Sequence, residues 1–89
     1  MDFEWDTKKA VKNHRKHRIT FDEAVEIFAD DYSSTVADPD HSADEHRFVM
    51  FGATRTGKFL VVSFVERGDR IRLINARPMT PRERRAYEQ

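Results

Sequence analysis

Residues 59–77, FLVVSFVERGDRIRLINAR, restrict the possible folds of this chain more than any other stretch, because they predict a β-hairpin. Phe59 to Val65 is a short apolar run rich in valine and phenylalanine, which is typical of a central strand covered on both faces. Residues 66–69 supply the turn, and residues 70–77 return as the second strand. The rest of the fold is therefore expected to be arranged around this hairpin.

The side chains of the return strand are expected to alternate between the two faces of the sheet. One face receives Ile71, Leu73 and Arg77. The opposite face receives Arg70, Arg72, Ile74 and Ala76. Three arginines on one strand of a packed sheet cannot all be buried without partners, so some are expected on an exposed surface suited to binding anions.

The length and composition favour one α+β domain, over residues 1–89, with a single core. Ten aromatic side chains support folding, whereas 36% charged residues predict a very polar exterior. The absence of cysteine excludes disulfides and thiolate metal sites, and no apolar run is long enough for a membrane span or a signal-peptide core. We therefore expect a soluble cytoplasmic protein with no cofactor, no metal and no membrane partner.

The net charge of zero is the sum of three unlike blocks of sequence. Residues 1–18 carry six Lys or Arg and three acids, residues 19–46 carry nine acids and no Lys or Arg, and residues 47–89 carry ten Lys or Arg and four acids. If the basic blocks share one face, that face is suited to phosphates, and the acidic block lies elsewhere or faces a basic partner. The alternative is an ordinary domain whose charges are simply solvated.

Two capping boxes predict where helices begin. In the first, Thr20 and Glu23 are spaced so that the hydroxyl and the carboxylate each satisfy an unpaired backbone N–H. The helix that follows carries a core-facing stripe, which consists of Phe21, Ala24, Val25, Ile27 and Phe28. The second box, Thr80 and Glu83 with Pro81 between them, begins a final helix that runs to the end of the sequence.

A third helix is expected earlier in the chain, from about Thr7 to His17. Its inward stripe is thin and consists of Ala10, Val11 and His14, extended by His17. The outer surface is strongly basic, with Lys8, Lys9, Lys12, Arg15 and Lys16.

The remaining segments predict strands and an acidic loop. Residues 2–6 alternate acidic and aromatic side chains and suit a short edge strand, residues 32–37 suit another strand, and residues 47–54 are expected to precede the hairpin in an antiparallel meander. The stretch DPDHSADEH at residues 38–46 contains groups that bind metals, but its spacing matches no known ligand set. We therefore expect solvated loop acids there rather than a metal site.

A series of short motifs extends along nearly the whole chain. The motifs are FEWD at 3–6, KH at 16–17 followed by ITF at 19–21, DPDH at 38–41, Glu45, RF at 47–48, LVV at 60–62, IRLINAR at 71–77 and TPRERRAYE at 80–88. In this order they resemble the BrnT family of toxins from toxin–antitoxin systems. The resemblance implies a RelE-like fold, in which an antiparallel sheet packs against helices, and a ribonuclease activity that inhibits translation and growth. It also implies neutralisation by a DNA-binding antitoxin called BrnA.

Two positions depart from the family pattern. The family usually has glycine where this chain has Arg18, and this difference predicts the loss of a left-handed helix stop. The family also usually has an acid where this chain has His46, which would alter a site near Arg47.

RNA cleavage without a metal needs a base for the 2′-hydroxyl, a cation for the phosphate and an acid for the leaving 5′-oxygen. The arginine candidates are Arg72 and Arg77, with Arg47 on a neighbouring strand, because guanidinium matches phosphate bidentately. Each of them could instead form an ion pair with the acidic loop. Lys16 and His17 match a Lys-His pair of the family, although a histidine at a helix end is often structural.

The other candidates also have a structural alternative. Glu45 is the remaining acid–base candidate, or else an ion-pair partner of Arg47. Arg70 and Arg84 are expected to bind RNA through their charge. Tyr87 could stack on a base or transfer a proton, or it could pack against the sheet.

The resemblance implies two partners, an RNA substrate and a BrnA-like antitoxin. The antitoxin is expected to place carboxylates near Arg72, Arg77 and the arginines of the last helix, and to supply the DNA-binding element. This chain alone is therefore not expected to bind operator DNA. Two other functions are open on sequence grounds: a non-catalytic module that binds nucleic acid or protein with the same basic face, and a scaffold whose charges serve only solubility.

Overall fold

A computed structural model describes residues 1–38 and 46–89, which contain five β-strands and three α-helices. The strands are β1 (Asp2–Trp5), β2 (Ser34–Ala37), β3 (Arg47–Ala53), β4 (Phe59–Arg67) and β5 (Arg70–Pro78). The helices are α1 (Thr7–His17), α2 (Phe21–Val25) and α3 (Pro81–Tyr87), and a 3-10 turn at Glu26–Ala29 continues α2. The α+β class is therefore confirmed. Within these residues, no helix has both the length and the apolar character that crossing a membrane needs.

The strands form one mixed sheet in the order β1-β5-β4-β3-β2. The expected meander of β3, β4 and β5 is confirmed, and β2 extends it with another antiparallel pair. The expected N-terminal edge strand is β1. It pairs with β5 in parallel, so the first and last strands of the chain lie side by side. Most of the acidic loop, residues 39–45, lies outside the described residues.

The core lies between one face of the sheet and the segment formed by α2 and the 3-10 turn. The sheet contributes Leu60, Val62 and Phe64 of β4, and the helical segment contributes Phe21, Ala24 and Ile27. Gly52 of β3 is needed at this contact, because a Cβ at that position would lie 2.9 Å from the Cβ of Ile27. The capping box at Thr20 is present with both of its hydrogen bonds, as predicted.

A β-bulge in β5 makes the expected alternation of side chains wrong beyond Leu73. Leu73 pairs with Phe64 and Asn75 pairs with Ser63, so Ile74 is an extra residue in the strand. The later side chains consequently change faces. Ala76 joins Ile71 and Leu73 in the core with 0% exposure, and Arg77 lies on the opposite face, in register with Val61.

Asn13 of α1 stabilises the bulge from the edge of the sheet. Its side-chain N–H donates to the carbonyl of Ile19 at 3.1 Å, and its side-chain oxygen accepts from the backbone N–H of Ala76 at 2.9 Å. Asn13 is buried, whereas Val11 and His14 are exposed, so the predicted inward stripe of α1 is wrong at those two positions. A polar side chain faces inward because β1 pairs with β5 only as far as Leu73, so the backbone N–H of Ala76 needs another acceptor.

The first helix keeps its left-handed stop without glycine. Arg18 adopts φ 60° and ψ 29°, and its backbone N–H donates to the carbonyl of His14 at 2.8 Å. The expectation that arginine removes this stop is therefore wrong. The hydrogen bond and the turn into Ile19 are retained at a backbone cost of about 1–2 kcal/mol for a residue with a Cβ.

The last helix is fastened to the sheet by Glu83. Its carboxylate completes the capping box with Thr80, as predicted, and also accepts two hydrogen bonds from the Arg77 guanidinium, at 2.8 and 2.9 Å. The hydrogen bonds from Arg77, and then the backbone N–H of Thr80, lower the pKa of Glu83 to about 2. The Glu83 carboxylate thus determines where α3 begins, and it also fixes the position of the Arg77 guanidinium at the end of β5.

Arg18→Gly is expected to raise the free energy of unfolding by about 0.5–1 kcal/mol, because relief of the left-handed strain exceeds the added flexibility of glycine in the unfolded chain. Arg15→Gly is the matched control, since it makes the same change at an exposed position inside α1. The control should lower stability by about 1 kcal/mol. Urea unfolding of both variants measures the difference, and equal losses would contradict the assignment of strain to Arg18.

Glu83→Gln keeps the capping pattern but removes the charge, and should cost about 1 kcal/mol at neutral pH, an amount that allows for the partial exposure of Arg77. Because the pKa of Glu83 is about 2 in the folded chain and 4.5 ordinarily, its contribution is complete above the ordinary value. The difference in free energy of unfolding between wild type and Glu83→Gln should therefore be constant down to about pH 5 and shrink below about pH 4.5.

Urea unfolding across this pH range measures that difference. Glu88→Gln, which removes the exposed pair between Glu88 and Arg84, is the control and should show only a small difference throughout. A Glu83→Gln difference that stayed the same as the pH approached 2 would show that Arg77 does not stabilise the Glu83 carboxylate.

Candidate functional site

A groove lies between α1 and the sheet face opposite α2. The wall is formed by α1 through Lys9, Lys12, Asn13, Lys16 and His17, and the sheet side by Val49, Val61, Ser63, Ile74, Asn75 and Arg77. The strand register explains why these sheet residues lie together. Val49, Ser63 and Asn75 are neighbours across three strands, and Val61 is the neighbour of Arg77. The groove therefore combines an aliphatic floor with a basic wall.

Three residues that the sequence predicts for the site meet in this groove, namely Lys16, His17 and Arg77. They are far apart in the chain and come together because Asn13 docks α1 against the end of β5. Lys16 is exposed and His17 is half-buried. A flexible cation, an imidazole and a fixed guanidinium thus face one space.

Arg77 is held in a defined orientation. Nη1 donates to the carbonyl of Pro78 at 3.1 Å and to Glu83 at 2.8 Å, and Nη2 donates to Glu83 at 2.9 Å. The hydrogen bonds to Glu83 also raise the pKa of Arg77, so the guanidinium stays charged. Among the described contacts, Nε–H and the second N–H of Nη2 have no acceptor, and together they form the fork that binds phosphate bidentately.

Arg72 lies on the same sheet face but outside the groove. Its Nη1 donates to Glu4 of β1 at 2.7 Å, and Arg70 donates to the other oxygen of Glu4 at 3.4 Å. The hydrogen bond from Arg72 is the main cause that lowers the pKa of Glu4. Both arginines therefore have an ion-pair partner in Glu4 of β1.

The strand register separates the two arginines of β5. Arg72 is the neighbour of Val65 and Arg77 is the neighbour of Val61, which places them four residues apart along β4. Four residues of extended strand span about 13 Å, so the backbones of Arg72 and Arg77 are well separated along the sheet, and their guanidinium groups bind different carboxylates, Glu4 and Glu83.

For the two remaining candidates, Arg47 and Glu45, the structure gives less detail. Arg47 flanks Val65 on the side opposite Arg72, so these two arginines lie about 10 Å apart across β4. Glu45 lies outside the described residues, and so does its expected pairing with Arg47.

Tyr87 and Arg84 lie on α3, away from the groove. The Tyr87 hydroxyl donates to Asp30, and the ring contacts Phe59 edge to face at 5.8 Å. Burial, and then the bond to Asp30, raises the pKa of Tyr87 to about 12, so the hydroxyl stays protonated at neutral pH. Arg84 donates to Glu88 at 3.0 Å, and its guanidinium lies 4.0 Å from the centre of the Phe59 ring. Both side chains therefore pack α3 against the sheet.

Asp30 connects this helix to the end of β3. Burial alone raises the pKa of its carboxyl, but hydrogen bonds from Tyr87 and from the backbone N–H groups of Ala53 and Tyr32 lower the pKa below its ordinary value. Asp30 is thus a structural anion at the other end of the sheet from Glu4.

Several groove residues were not predicted from the sequence. Lys9 and Lys12 carry a usable signal, because with Lys16 they recur at the i, i+3, i+7 spacing of one helix face. Ser63 and Asn75 carry none, because their place on the open face depends on the bulge and on the strand register.

Comparison with known proteins agrees with this fold. The family model of the ribonuclease toxin BrnT, of type II toxin–antitoxin systems, matches residues 5–83. The 1.1 Å crystal structure of the Brucella abortus ribonuclease toxin BrnT is similar, with a TM-score of 0.72 and 20% sequence identity over 90% of this chain and 97% of that chain. No curated protein sequence matches the chain. Because the family model spans most of its length, this chain belongs to the BrnT family of ribonuclease toxins of type II toxin–antitoxin systems.

Proposed function

We propose that this chain is an endoribonuclease that cleaves RNA in the cytoplasm without a metal ion and so inhibits translation and growth. The observation that carries the proposal is the shared groove of Lys16, His17 and Arg77, in which Glu83 holds Arg77 while one edge of its guanidinium stays available. Membership of the BrnT family supports RNA as the target.

In the proposed reaction the ribose 2′-oxygen attacks the adjacent phosphorus, and the bond from phosphorus to the 5′-oxygen breaks. A base takes the 2′-hydroxyl proton, and an acid gives a proton to the leaving 5′-oxygen. The products are a 2′,3′-cyclic phosphate and a 5′-hydroxyl, and no other reactant is consumed.

Arg77 is the residue that we assign to transition-state charge. Its free fork can donate two hydrogen bonds to the non-bridging phosphate oxygens, whose negative charge grows as the new bond forms. Glu83 pre-orients this fork, so little reorganisation is needed when the charge develops.

His17 and Glu45 are our candidates for the proton transfers. His17 lines the groove beside Lys16, and imidazole exchanges protons near neutral pH. The proposal for Glu45 rests on the sequence alone. Lys16 would hold a neighbouring phosphate.

Arg72 and Arg47 are assigned to binding. Because Arg72 shares Glu4 with Arg70 and lies about 13 Å along the sheet from Arg77, we propose that it contacts a different phosphate from the one that reacts. Arg47 would help on the same face. Arg84 and Tyr87 would support the site by fixing α3, which positions Glu83.

Arg77→Lys is expected to reduce cleavage of single-stranded RNA in EDTA by about 100-fold, because lysine keeps the charge but cannot form the fork. Binding of a non-cleavable 2′-O-methyl RNA should change much less. The control Arg85→Lys makes the same change at an exposed position outside the groove and should cleave at the wild-type rate. Thermal unfolding of both variants checks that each is folded.

Two outcomes would contradict the proposal. If EDTA abolished cleavage by the wild-type protein, the reaction would need a metal. If Arg77→Lys cleaved RNA at the wild-type rate, Arg77 would have no role in the transition state. Binding of RNA by a wild-type protein that never cleaves it would favour the non-catalytic binding module.

We infer that a BrnA-like antitoxin neutralises the toxin by covering the basic face of the sheet and the groove. A segment that is disordered when free can wrap such a surface, with carboxylates near Arg72, Arg77 and the arginines of α3. Apolar contacts would supply most of the affinity. The antitoxin would also supply all of the operator binding.

The purified toxin should cleave RNA and leave operator DNA unbound, whereas the toxin–antitoxin complex should bind the operator and cleave RNA far more slowly. Cleavage assays and operator binding, measured on both samples, test this pair of expectations. A complex that cleaved as fast as the free toxin, or a free toxin that bound the operator as tightly as the complex, would exclude this role of the partner.

A further inference from the structure

We propose that Lys9, Lys12 and Lys16 form a phosphate track along α1, which holds the backbone of single-stranded RNA on one side of the cleavage position. The proposal rests on the proposed function, because it assigns the same groove to an extended RNA strand. It adds two residues, Lys9 and Lys12, to those that the reaction itself requires.

The three lysines form one row on the groove side of the helix. They are separated by three and four residues, so they lie on adjacent turns of one helix face and span about 10 Å along its axis. The row ends at Lys16, next to His17, which lines the same groove as Arg77. A strand that enters the reactive end is therefore led along the row.

Within residues 1–38 and 46–89, the charges of the row are not neutralised by ion pairs. In the described part of the chain no carboxylate forms an ion pair with Lys12 or Lys16, and Asp6 is involved with Lys9 mainly through the backbone N–H. The cations around the sheet differ, since Arg72 pairs with Glu4, Lys58 with Glu23 and Arg84 with Glu88. Cations without protein partners are the ones that release counterions when they bind phosphate.

The floor of the groove favours an unpaired strand over a duplex. Val49 and Ile74, which are half-buried, offer an aliphatic surface on which bases can lie, and Ser63 and Asn75 are the polar side chains between them. Bases of a single strand are free to turn towards this floor while the phosphates follow the lysines. The bases of a duplex are paired inside it, so a duplex would leave this aliphatic floor unused.

The test compares two double variants that remove the same charge from the same helix. Lys9→Gln with Lys12→Gln empties the proposed track, and Lys8→Gln with Arg15→Gln removes two exposed cations that do not line the groove. Glutamine keeps a high helix propensity, so α1 should be retained, as circular dichroism can confirm. The ligand is a fluorescent 2′-O-methyl 12-mer without secondary structure, and its affinity is measured between about 50 and 200 mM salt.

The track predicts that the Lys9 and Lys12 double variant reduces the slope of log affinity against log salt by about 1.4, or about 0.7 for each lost phosphate contact. The Lys8 and Arg15 double variant should leave the slope close to that of wild type. A blunt duplex of the same sequence should bind more weakly, with a slope that the groove variant does not change.

Equal changes of slope in both double variants would show that RNA responds only to the total charge of α1, and this result would overturn the track. An unchanged slope in the groove variant would also overturn it, even if binding of the antitoxin were weakened, because the row would then serve the partner protein. Equal sensitivity of duplex and single strand would overturn the assignment to unpaired RNA.

These outcomes are separable from the proposed reaction, since the 2′-O-methyl ligand cannot be cleaved. A protein that shows the predicted slopes but no cleavage would keep the track and lose the enzyme. A protein that cleaves RNA with slopes unaffected by the groove variant would keep the enzyme and lose the track.

Discussion

The extra residue in β5, stabilised by the side-chain amide of Asn13, determines which face each later side chain of that strand occupies. Side chains alternate strictly along a strand, so a single inserted residue exchanges the buried and open positions that follow it. Here the exchange puts Ala76 in the core and brings Arg77 to the groove. The same amide holds α1 beside the strand, so the basic wall and the guanidinium depend on one pair of hydrogen bonds.

Carboxylates at the borders of the sheet hold its arginines by direct hydrogen bonds, whereas the lysines of α1 form a second group of cations. Glu4 and Glu83 orient Arg72 and Arg77 by direct hydrogen bonds, at opposite ends of β5. Asp30 and Glu23 instead secure the segments around the sheet, through Tyr87 and Lys58. Within the described residues, no such carboxylate forms an ion pair with Lys12 or Lys16 on the groove side of α1. Fixed geometry and adaptable charge are thus supplied by different elements.

The parts of the fold that depend on neighbouring residues could be predicted from the sequence. The helix starts at Thr20 and Thr80 were found because a capping box is complete within four residues, and the hairpin because its turn and apolar run are contiguous. The bulge could not be found, because it depends on how β5 pairs with β4, and the acceptor for the N–H of Ala76 just beyond it comes from Asn13, far away in the chain. For the site, residue type identified Arg77, and the family resemblance identified Lys16 and His17. Lys9 and Lys12 share a helix face with Lys16, but the docking of α1 was needed to show that this face lines the groove.

The exposed lysine row also affects how the molecules behave towards one another. The chain has no net charge at neutral pH, so copies do not repel each other overall, yet positive and negative residues are concentrated in different parts of its sequence. Such molecules attract through unlike patches when little salt is present, and this attraction fades once the screening length falls to about 10 Å near 0.1 M salt. We therefore expect the protein to salt in, and to be least soluble in dilute neutral buffer.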